Sequence, residues 1–313
     1  MDVFFYEAFE EEVEELKCLL PESISADFTG QAIQESGHKD PPARLISTRT
    51  QSCIPLEWAD KLSGILTRST GYNHLIDYLK DSQTTIPCGY LPLYCNRSVA
   101  EQAMLLWTAL FRKLSVQSRQ FRTFRRDGIT GTECIGKTLL VVGVGNIGSE
   151  IVKIGQGLGM EVLGVDPVQK HSFVHYISID EGLPRADIIV CAMNLNPHNV
   201  GYFNYNRLIA AKKGVVFVNV ARGEMSSSYV LLRLLNEGHL GGVALDVYDK
   251  ESDLAVSLRE GRKIEDPELK ATLEMAKLPN VICTPHNAFN TVESVCRKSE
   301  HTVQQINHFQ KET

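Results

Sequence analysis

The chain has 313 residues, 43% of them hydrophobic and 22% charged, which is ordinary for a globular protein and long enough to favour two domains. Its formal net charge of -6 argues against general attraction to nucleic acid or to an anionic membrane. Eight scattered cysteines without a Cys-x-x-Cys pair disfavour a metal site and a disulfide framework, and they favour a reducing cytoplasm. Neither a signal peptide nor a membrane-spanning segment is expected.

Short apolar runs separated by amphipathic segments mark the first part of the chain. They predict strands at residues 3–6, 44–47 and 64–67, and a weaker strand at 85–88. The acidic segment 10–15 leads into leucines, and we interpret it as the solvent-facing side of a helix. Strands that alternate with helices predict a parallel sheet covered on both faces.

A long helix is predicted from Val99 onward, because apolar residues recur there at the spacing of one helical face. Ser98 and Glu101 are three positions apart, a spacing that predicts a capping box at the start of this helix. The same type of pattern predicts a closing amphipathic helix over residues 291–309.

A second and more regular alternation of strands and helices lies between these two helices. It predicts six strands, at residues 139–142, 162–165, 188–191, 215–220, 243–245 and 281–283. Six strands with helical spacers fit a complete doubly wound dinucleotide-binding fold. We therefore predict an α/β protein of two doubly wound parallel-sheet domains. A Rossmann nucleotide domain, residues 97–288, is inserted into a flavodoxin-like substrate domain, residues 1–96 plus 289–313.

A glycine-rich turn follows the first strand of the predicted nucleotide domain. Gly143 allows a tight strand-to-helix turn, Gly145 lets the backbone approach a pyrophosphate, and Gly148 lets the helix pack closely on the strand. Free N–H groups at the start of the helix, at Asn146 and Ile147, then face the phosphate.

An acid closes the next predicted strand, at Asp166. A carboxylate at this position accepts hydrogen bonds from the adenosine ribose and repels a 2′-phosphate. Pro167 and Val168 supply no arginine for a phosphate, although Lys170 is near in sequence. The expected cofactor is NAD.

Candidate catalytic side chains follow three later strands of the same domain. Reduction of a 2-oxo acid requires a cation for the carboxylate and ketone, an acid that protonates the oxygen, and a group that orients this acid. Arg222 has a planar fork suited to a carboxylate, and His286 supplies an imidazole, the side-chain type suited to proton donation near neutral pH. The orienting carboxylate could be Glu251, Asp249 or Asp246, because spacing alone does not choose among them.

Taken together, these residues resemble the D-isomer-specific 2-hydroxyacid dehydrogenase family, and their motifs are closest to its D-lactate dehydrogenase branch. The resemblance runs from about residue 64 to residue 295. The segments that carry it are 67–74 (TRSTGYNH), 98–101, 136–148, 218–224, 242–251 and 284–291.

This resemblance implies a role for each candidate residue. Arg222 binds substrate, His286 donates the proton, and Glu251, five residues after Asp246, pairs with the histidine. The implied substrate-binding backbone N–H groups are those of Ser69, Thr70 and Gly71. The implied cofactor contacts also include Asn196, Ala221 and Asp246.

Two positions depart from the family's pattern, and both could alter cofactor affinity. The chain reads Ser226-Ser227-Ser228 where the family often has an acid, and Asn196 stands where a threonine is usual. The charged stretch 259–270 is interpreted as a surface excursion.

Phe289 favours pyruvate or a modestly larger apolar 2-oxo acid as substrate, since an aromatic ring after the histidine would line an apolar pocket. An interdomain core position for Phe289 is the competing interpretation. Other candidate substrates are phosphoglycerate, glyoxylate, hydroxypyruvate or a branched-chain 2-oxo acid. A different class of protein, a non-catalytic NAD(H)-sensing corepressor on the same fold, is also considered. The family resemblance further implies a homodimer with the helix from Ser98 as its interface.

Overall fold

The computed structural model describes residues 1–312, and within them every strand pairing is parallel. The strands are β1 (Val3–Phe5), β2 (Ala26–Phe28), β3 (Leu45–Thr48), β4 (Gly64–Thr67), β5 (Cys88–Gly89), β6 (Thr138–Val142), β7 (Glu161–Val165), β8 (His175–Tyr176), β9 (Ile188–Cys191), β10 (Val215–Asn219), β11 (Leu240–Leu245) and β12 (Val281–Cys283).

Helices connect almost every pair of strands. They are α1 (Glu10–Leu19), α2 (Ile33–Ser36), α3 (Asn73–Ser82), α4 (Asn96–Phe111), α5 (Leu114–Gln120), α6 (Asn146–Gly157), α7 (Ile179–Gly182), α8 (Tyr205–Ile209), α9 (Ser228–Asn236), α10 (Glu251–Glu260), α11 (Pro267–Met275) and α12 (Val292–Glu312). Short 3₁₀ helices lie at Leu56–Lys61, Phe121–Thr123 and Gly223–Met225.

The chain divides into two compact units, one of residues 1–95 and 290–313 and the other of residues 96–289. The first unit contains a five-stranded sheet in the order β2-β1-β3-β4-β5. The second contains a seven-stranded sheet in the order β12-β11-β10-β9-β6-β7-β8. In both sheets the strand order reverses direction, so each is doubly wound. The expected α/β fold class is confirmed.

Parallel strands with helices on both faces are buried on both faces, and the central strands of the second sheet follow this rule. Every residue of β6, β9 and β10 is buried. Side chains such as Phe217, Ile189 and Leu140 pack with Leu231 and Leu234 of α9 in one apolar core. This core holds the ends of neighbouring strands in a fixed register.

Sequence patterns located most strands to within one or two residues, but they missed two. β2 and β8 are short edge strands, with three and two residues, and neither has an apolar run that marks it. The weak strand predicted at 85–88 is displaced to Cys88–Gly89. Pro87 lies outside the strand and contributes only its carbonyl, which accepts a hydrogen bond from Ile65.

The predicted capping box at Ser98 and Glu101 is wrong. Helix α4 begins at Asn96, so Ser98 lies inside its first turn. The Ser98 hydroxyl donates a hydrogen bond to the carbonyl of Phe289, 3.2 Å away, and Glu101 instead pairs with Arg97. The side-chain partners of both residues were therefore misassigned from local spacing.

The acidic face predicted for residues 10–15 is wrong at one position. Glu10 and Glu11 are exposed on α1, whereas Glu12 is fully buried. Its carboxylate forms ion pairs of 2.8 Å with Arg68 Nε and with Lys298 Nζ, and both cations are also fully buried. A buried charge is tolerated only when it is paired, and three distant segments meet here to pair it.

Among the described residues, no helix is long and apolar enough to cross a membrane. All eight cysteines are free thiols. The part of the chain covered by the structure contains no group of three or more histidine, cysteine, aspartate or glutamate side chains arranged to hold a metal ion.

The burial of Glu12 generates a prediction about stability. Glu12→Gln leaves Arg68 and Lys298 buried without a countercharge, so the free energy of unfolding should fall by about 3–5 kcal/mol. Glu11→Gln, on the exposed side of the same helix, should change it by less than about 0.5 kcal/mol. If both substitutions changed the free energy of urea unfolding equally, a structural role for the buried charges of Glu12, Arg68 and Lys298 would be contradicted.

Candidate active site

Polar side chains gather where three neighbouring strands of the second unit end. Arg222 follows β10, Asp246 and Glu251 follow β11, and His286 follows β12. These strands are adjacent in the sheet, in the order β12-β11-β10. Because the carboxyl ends of parallel strands share one edge of a sheet, the four side chains lie at the same edge, where doubly wound folds bind ligands.

His286 and Glu251 form a hydrogen-bonded pair at this edge. The distance between His286 Nδ1 and Glu251 Oε1 is 2.6 Å, and about a fifth of each side chain is exposed, 20% and 19%. Burial would raise the pKa of Glu251, but the neighbouring charge and hydrogen bond of His286, and the charge of Arg222, hold this pKa below its ordinary value. An ionised carboxylate only accepts hydrogen bonds, so the imidazole carries a proton on Nδ1 and leaves Nε2 for a ligand.

The backbone of His286 has a φ of +50°, in the left-handed region. A residue with a side chain adopts this conformation at a cost of about 1–3 kcal/mol and keeps it only where its surroundings enforce it. Asp246 supplies this enforcement. Its carboxylate accepts hydrogen bonds from the Thr284 hydroxyl (2.6 Å) and from the N–H groups of Asn287 (2.9 Å) and Ala288 (2.8 Å).

Asp246 is 1% exposed, and burial raises the pKa of its carboxyl despite these three donors. Both carboxylate oxygens are therefore committed to the loop that carries His286. Tyr248 adds another hydrogen bond to this loop, since its hydroxyl donates to the carbonyl of Thr284 at 2.7 Å. The structure thus places Asp246, predicted as a cofactor contact, beneath the histidine loop.

Arg222 is fixed through its backbone, while its guanidinium remains available. Its carbonyl accepts a hydrogen bond from Asn219 Nδ2 at 2.9 Å, and Asn219 Oδ1 accepts the N–H of Ala221 at 3.0 Å. Gly223 permits a close approach to the segment that follows β11, because a Cβ atom here would lie 1.8 Å from the carbonyl carbon of Tyr248. Across residues 1–312, no carboxylate forms an ion pair with the Arg222 guanidinium, whose Nη1 contacts the carbonyl of Ala221. This cation can therefore hold an anionic ligand.

The glycine-rich turn has the geometry of a phosphate cradle. Gly143 has a φ of +92°, and a Cβ atom on Gly148 would lie 2.0 Å from the carbonyl oxygen of Gly143. Gly145, by contrast, has open space on its Cβ side, and both it and Asn146 are exposed at the start of α6. Ile147 follows in the first turn, so the N–H groups of this helix end face solvent-accessible space.

Asp166 lies at the end of β7, beside this turn. One carboxylate oxygen accepts the N–H of Val144 at 2.7 Å, and the other accepts the N–H of Val168 at 2.8 Å. The carboxylate is thus held next to the glycine turn with acceptor capacity left for a ribose hydroxyl. The turn, the open helix end and this acid fit NAD.

Asn196 lies in the loop after β9 and is exposed. Its Oδ1 accepts the N–H of His198 at 2.9 Å, and its own N–H donates to Asn199 Oδ1 at 2.8 Å. The Asn196 side chain therefore shapes its own loop. Ala221 is buried at the end of β10, with its N–H already bonded to Asn219.

Phe289 belongs to the second unit and is 7% exposed. Its ring centroid lies 6.4 Å from that of His286, with the two rings edge to face.

In the first unit, Ser69, Thr70 and Gly71 form the loop after β4. The carbonyl of Ser69 accepts the N–H of Leu91 at 3.1 Å, and the Ser69 hydroxyl donates to the carbonyl of Gly71 at 2.7 Å.

Sequence reasoning missed Glu268, which comes from the excursion at residues 259–270. Its carboxylate accepts hydrogen bonds from the Ser227 hydroxyl and the Ser228 N–H at the start of α9. A carboxylate from α11 therefore caps α9, just beyond Arg222, where the sequence itself has only serines. No local pattern reveals this cap, because the acid is 40 residues away from Ser228 in the chain.

The three hydrogen bonds of Asp246 generate a prediction about the histidine loop. Asp246→Asn places an amide group against backbone N–H donors, so the free energy of unfolding should fall by about 2–3 kcal/mol. Asp249→Asn, in the same segment, is the matched control and should cost less than about 0.5 kcal/mol. Thermal and urea unfolding measure both. An unchanged stability of Asp246→Asn would mean that the loop is held by other contacts.

Comparison with known proteins gives one family. The model described as the NAD binding domain of D-isomer specific 2-hydroxyacid dehydrogenases matches residues 103–288. A 2-hydroxyacid dehydrogenase homolog of Zymomonas mobilis is 32% identical over 250 residues, which cover 77% of this chain and 74% of that protein. An aromatic 2-oxoacid reductase of Clostridium sporogenes is 29% identical over 252 residues, covering 79% of this chain and 75% of that protein.

Similarity in three dimensions extends over the whole chain. The crystal structure of a D-lactate dehydrogenase from Aquifex aeolicus, complexed with NAD and lactic acid, has a TM-score of 0.86 and 29% sequence identity. The match covers 99% of this chain and 96% of that structure. The expected resemblance, the cofactor NAD and the activity class, an NAD-dependent 2-hydroxyacid dehydrogenase, are thereby confirmed. The chain belongs to the D-isomer-specific 2-hydroxyacid dehydrogenase family, and residues 103–288 are its NAD-binding domain.

Proposed function

We propose that the protein interconverts a small apolar 2-oxo acid and the corresponding D-2-hydroxy acid, with Arg222, Glu251 and His286 as its catalytic residues. The observation that carries this proposal is the 2.6 Å pair between His286 and Glu251, beside a guanidinium that has no carboxylate partner within the described chain. Together they provide an oriented proton donor and an anion-binding cation at one edge of the sheet.

Each of these residues has one task in the reaction. Arg222 binds the substrate carboxylate with its planar fork and polarises the ketone. His286 gives a proton from Nε2 to the ketone oxygen during reduction and accepts the hydroxyl proton during oxidation. Glu251 stays ionised and stabilises the doubly protonated imidazole. NADH, when bound, supplies the hydride that reduces the 2-carbon. Ser69, Thr70 and Gly71 also bind the substrate carboxylate through their N–H groups.

The cofactor assignment extends to individual residues. Gly143, Gly145 and Gly148 and the helix start at Asn146 and Ile147 accommodate the pyrophosphate. Asp166 binds the adenosine ribose and repels a 2′-phosphate. Asn196 and Ala221 contribute backbone surface to this site. Asp246 affects the site indirectly, because it holds the loop that carries His286.

Pyruvate, or a modestly larger apolar 2-oxo acid, is the proposed substrate. The Phe289 ring stands edge to face with His286 and offers an apolar surface to the group on the 2-carbon. Two relatives named for lactate and for aromatic 2-oxo acids support this range. Phosphoglycerate, glyoxylate and hydroxypyruvate remain the alternative substrates.

Further proposals concern the organisation of the protein. We assign residues 1–96 plus 289–313 to substrate binding and residues 97–288 to NAD binding. We also place the protein in the cytoplasm, which its free thiols support.

A homodimer is proposed through the helices that start near Ser98. Exposed apolar side chains there support it, namely Leu105, Leu114, Phe121 and Phe124. Sedimentation equilibrium should give twice the monomer mass.

The proton-transfer role is tested by His286→Ala. We expect turnover of a 2-oxo acid to fall by about 10³-fold or more, while the Kd for NADH changes by less than about twofold. His175→Ala, on an exposed edge strand, is the control and should be neutral. The assay is NADH oxidation with pyruvate, phenylpyruvate, 2-oxoisocaproate, glyoxylate and hydroxypyruvate. Loss of NADH binding together with turnover would make His286 structural. If the native protein binds NADH but oxidises it with none of these acids, the result would favour the NAD(H)-sensing alternative.

The carboxylate-binding role is tested by Arg222→Lys, which keeps the charge and removes the planar fork. We expect kcat/KM to fall about 100-fold, equivalent to about 2.7 kcal/mol of transition-state stabilisation. NADH binding should be unchanged, since it does not need the fork. Near-normal kinetics of Arg222→Lys would remove Arg222 from the substrate site.

A further inference from the structure

The residue directly before the substrate loop is a fully buried arginine. Arg68 follows β4 and precedes Ser69, and its side chain is 0% exposed. The guanidinium donates from Nε to Glu12 Oε1 at 2.8 Å, from Nη1 to Ser47 Oγ at 2.9 Å and from Nη2 to the carbonyl of Tyr6 at 2.7 Å. It is therefore bonded to α1, to β3 and to the end of β1 at once.

Glu12 joins a fourth element to this arrangement. Its Oε1 also lies 2.8 Å from Lys298 Nζ on α12, and that ammonium lies 4.4 Å from the centroid of the Phe9 ring. Burial raises the pKa of Glu12, but the charges of Arg68 and Lys298 outweigh this and lower it to about 2. We call Glu12, Arg68 and Lys298 the buried ionic cluster.

The loop beyond Arg68 is held by its carbonyl and hydroxyl groups, not by its N–H groups. The Thr70 hydroxyl donates to the carbonyl of Leu91 at 3.3 Å, and that of Ser69 to the carbonyl of Gly71 at 2.7 Å. Within residues 1–312, the N–H groups of Ser69, Thr70 and Gly71 have no acceptor. Three successive N–H donors of this loop are therefore left for an anion.

Stability alone does not account for the buried ionic cluster. Replacing a buried ion pair or triad by apolar residues of similar volume is often neutral or stabilising. A guanidinium bonded to three other segments does something that an apolar side chain cannot: it fixes the direction of its own backbone. The N–H of Arg68 is also fixed, by the carbonyl of Thr48 at 2.8 Å.

We propose that Arg68 and Glu12 are positioning residues for the substrate loop: the buried ionic cluster sets the direction in which Ser69, Thr70 and Gly71 present their N–H groups to the carboxylate of a 2-oxo acid. This inference rests on the proposed function, in which that loop binds substrate. It adds two residues that act on the reaction without touching substrate or cofactor.

The test uses the full chain with the triple substitution Glu12→Leu, Arg68→Met and Lys298→Met, which removes all three charges of the buried ionic cluster together. We expect a folded protein whose KM for pyruvate or phenylpyruvate is raised at least about tenfold, with the Kd for NADH within about twofold of the native value. Arg68→Lys, which keeps the charge without the fork, should give an intermediate KM.

Leu16→Ala is the matched control, because Leu16 is fully buried on the same helix as Glu12 and carries no charge. It should lower the melting temperature and leave KM unchanged, as a purely structural residue would. A folded triple variant, or Arg68→Lys, with a native KM would overturn the proposal.

A second measurement does not depend on activity. In the absence of substrate, the hydrogen-bonded amides of the segment 67–75, such as the Arg68 N–H bonded to Thr48, should exchange at least about tenfold faster in Arg68→Lys and in the triple variant than in the native protein. Exchange in β6, in the other unit, should be unchanged. If the native protein turns over no 2-oxo acid, the proposed function fails, while faster exchange still supports the positioning role. Unchanged exchange would overturn that role alone.

Discussion

The arrangement of the candidate active site depends on one buried carboxylate. Asp246 is taken out of water at the end of β11, and its two oxygens are bonded to the hydroxyl and backbone donors of the loop after β12. This bonding maintains a left-handed backbone at His286 that would otherwise be unfavourable. The imidazole then lies 2.6 Å from Glu251, and the resulting pair defines which ring nitrogen is left for a ligand.

The functional loops of this protein are held by two physical means. In the second unit, glycines let backbone segments approach closely, as Gly223 does against Tyr248 and Gly148 against Gly143. The other means is a buried side chain with complete hydrogen bonding. Asp246 acts in this way in the second unit. In the first unit, the Arg68 guanidinium bonds to four residues near the loop that begins at Ser69, namely Glu12, Ser47, Thr48 and Tyr6. The first means requires the absence of a side chain, whereas the second requires complete pairing.

The structural features that were predictable from sequence are those that depend on local patterns. Apolar runs located the buried central strands, because strands buried on both faces are continuous in hydrophobicity. The glycine turn and Asp166 were recognisable because strand, turn and helix follow one another without interruption. The choice of Glu251 over Asp249 and Asp246 was not available from spacing and came from the family resemblance.

The remaining features depend on contacts between residues distant in sequence. Glu12 belongs to a run of acids that resembles a solvent-facing helix surface, and only Arg68 and Lys298 give it a reason to be buried. Ser98 and Glu101 had the spacing of a cap, but their partners lie elsewhere. Glu268 caps α9 from another helix, and short edge strands such as β8 carry too few residues to form a pattern.

The most direct test of the central claim follows the hydride and the stereochemistry of its product. NADH deuterated at the transferred position of the nicotinamide would be incubated with pyruvate or phenylpyruvate, and the 2-hydroxy acid would be analysed by mass spectrometry and chiral chromatography. We expect one deuterium on the 2-carbon of a D-isomer. An L-isomer, a product without deuterium, or no product from an enzyme that still binds NADH would contradict it.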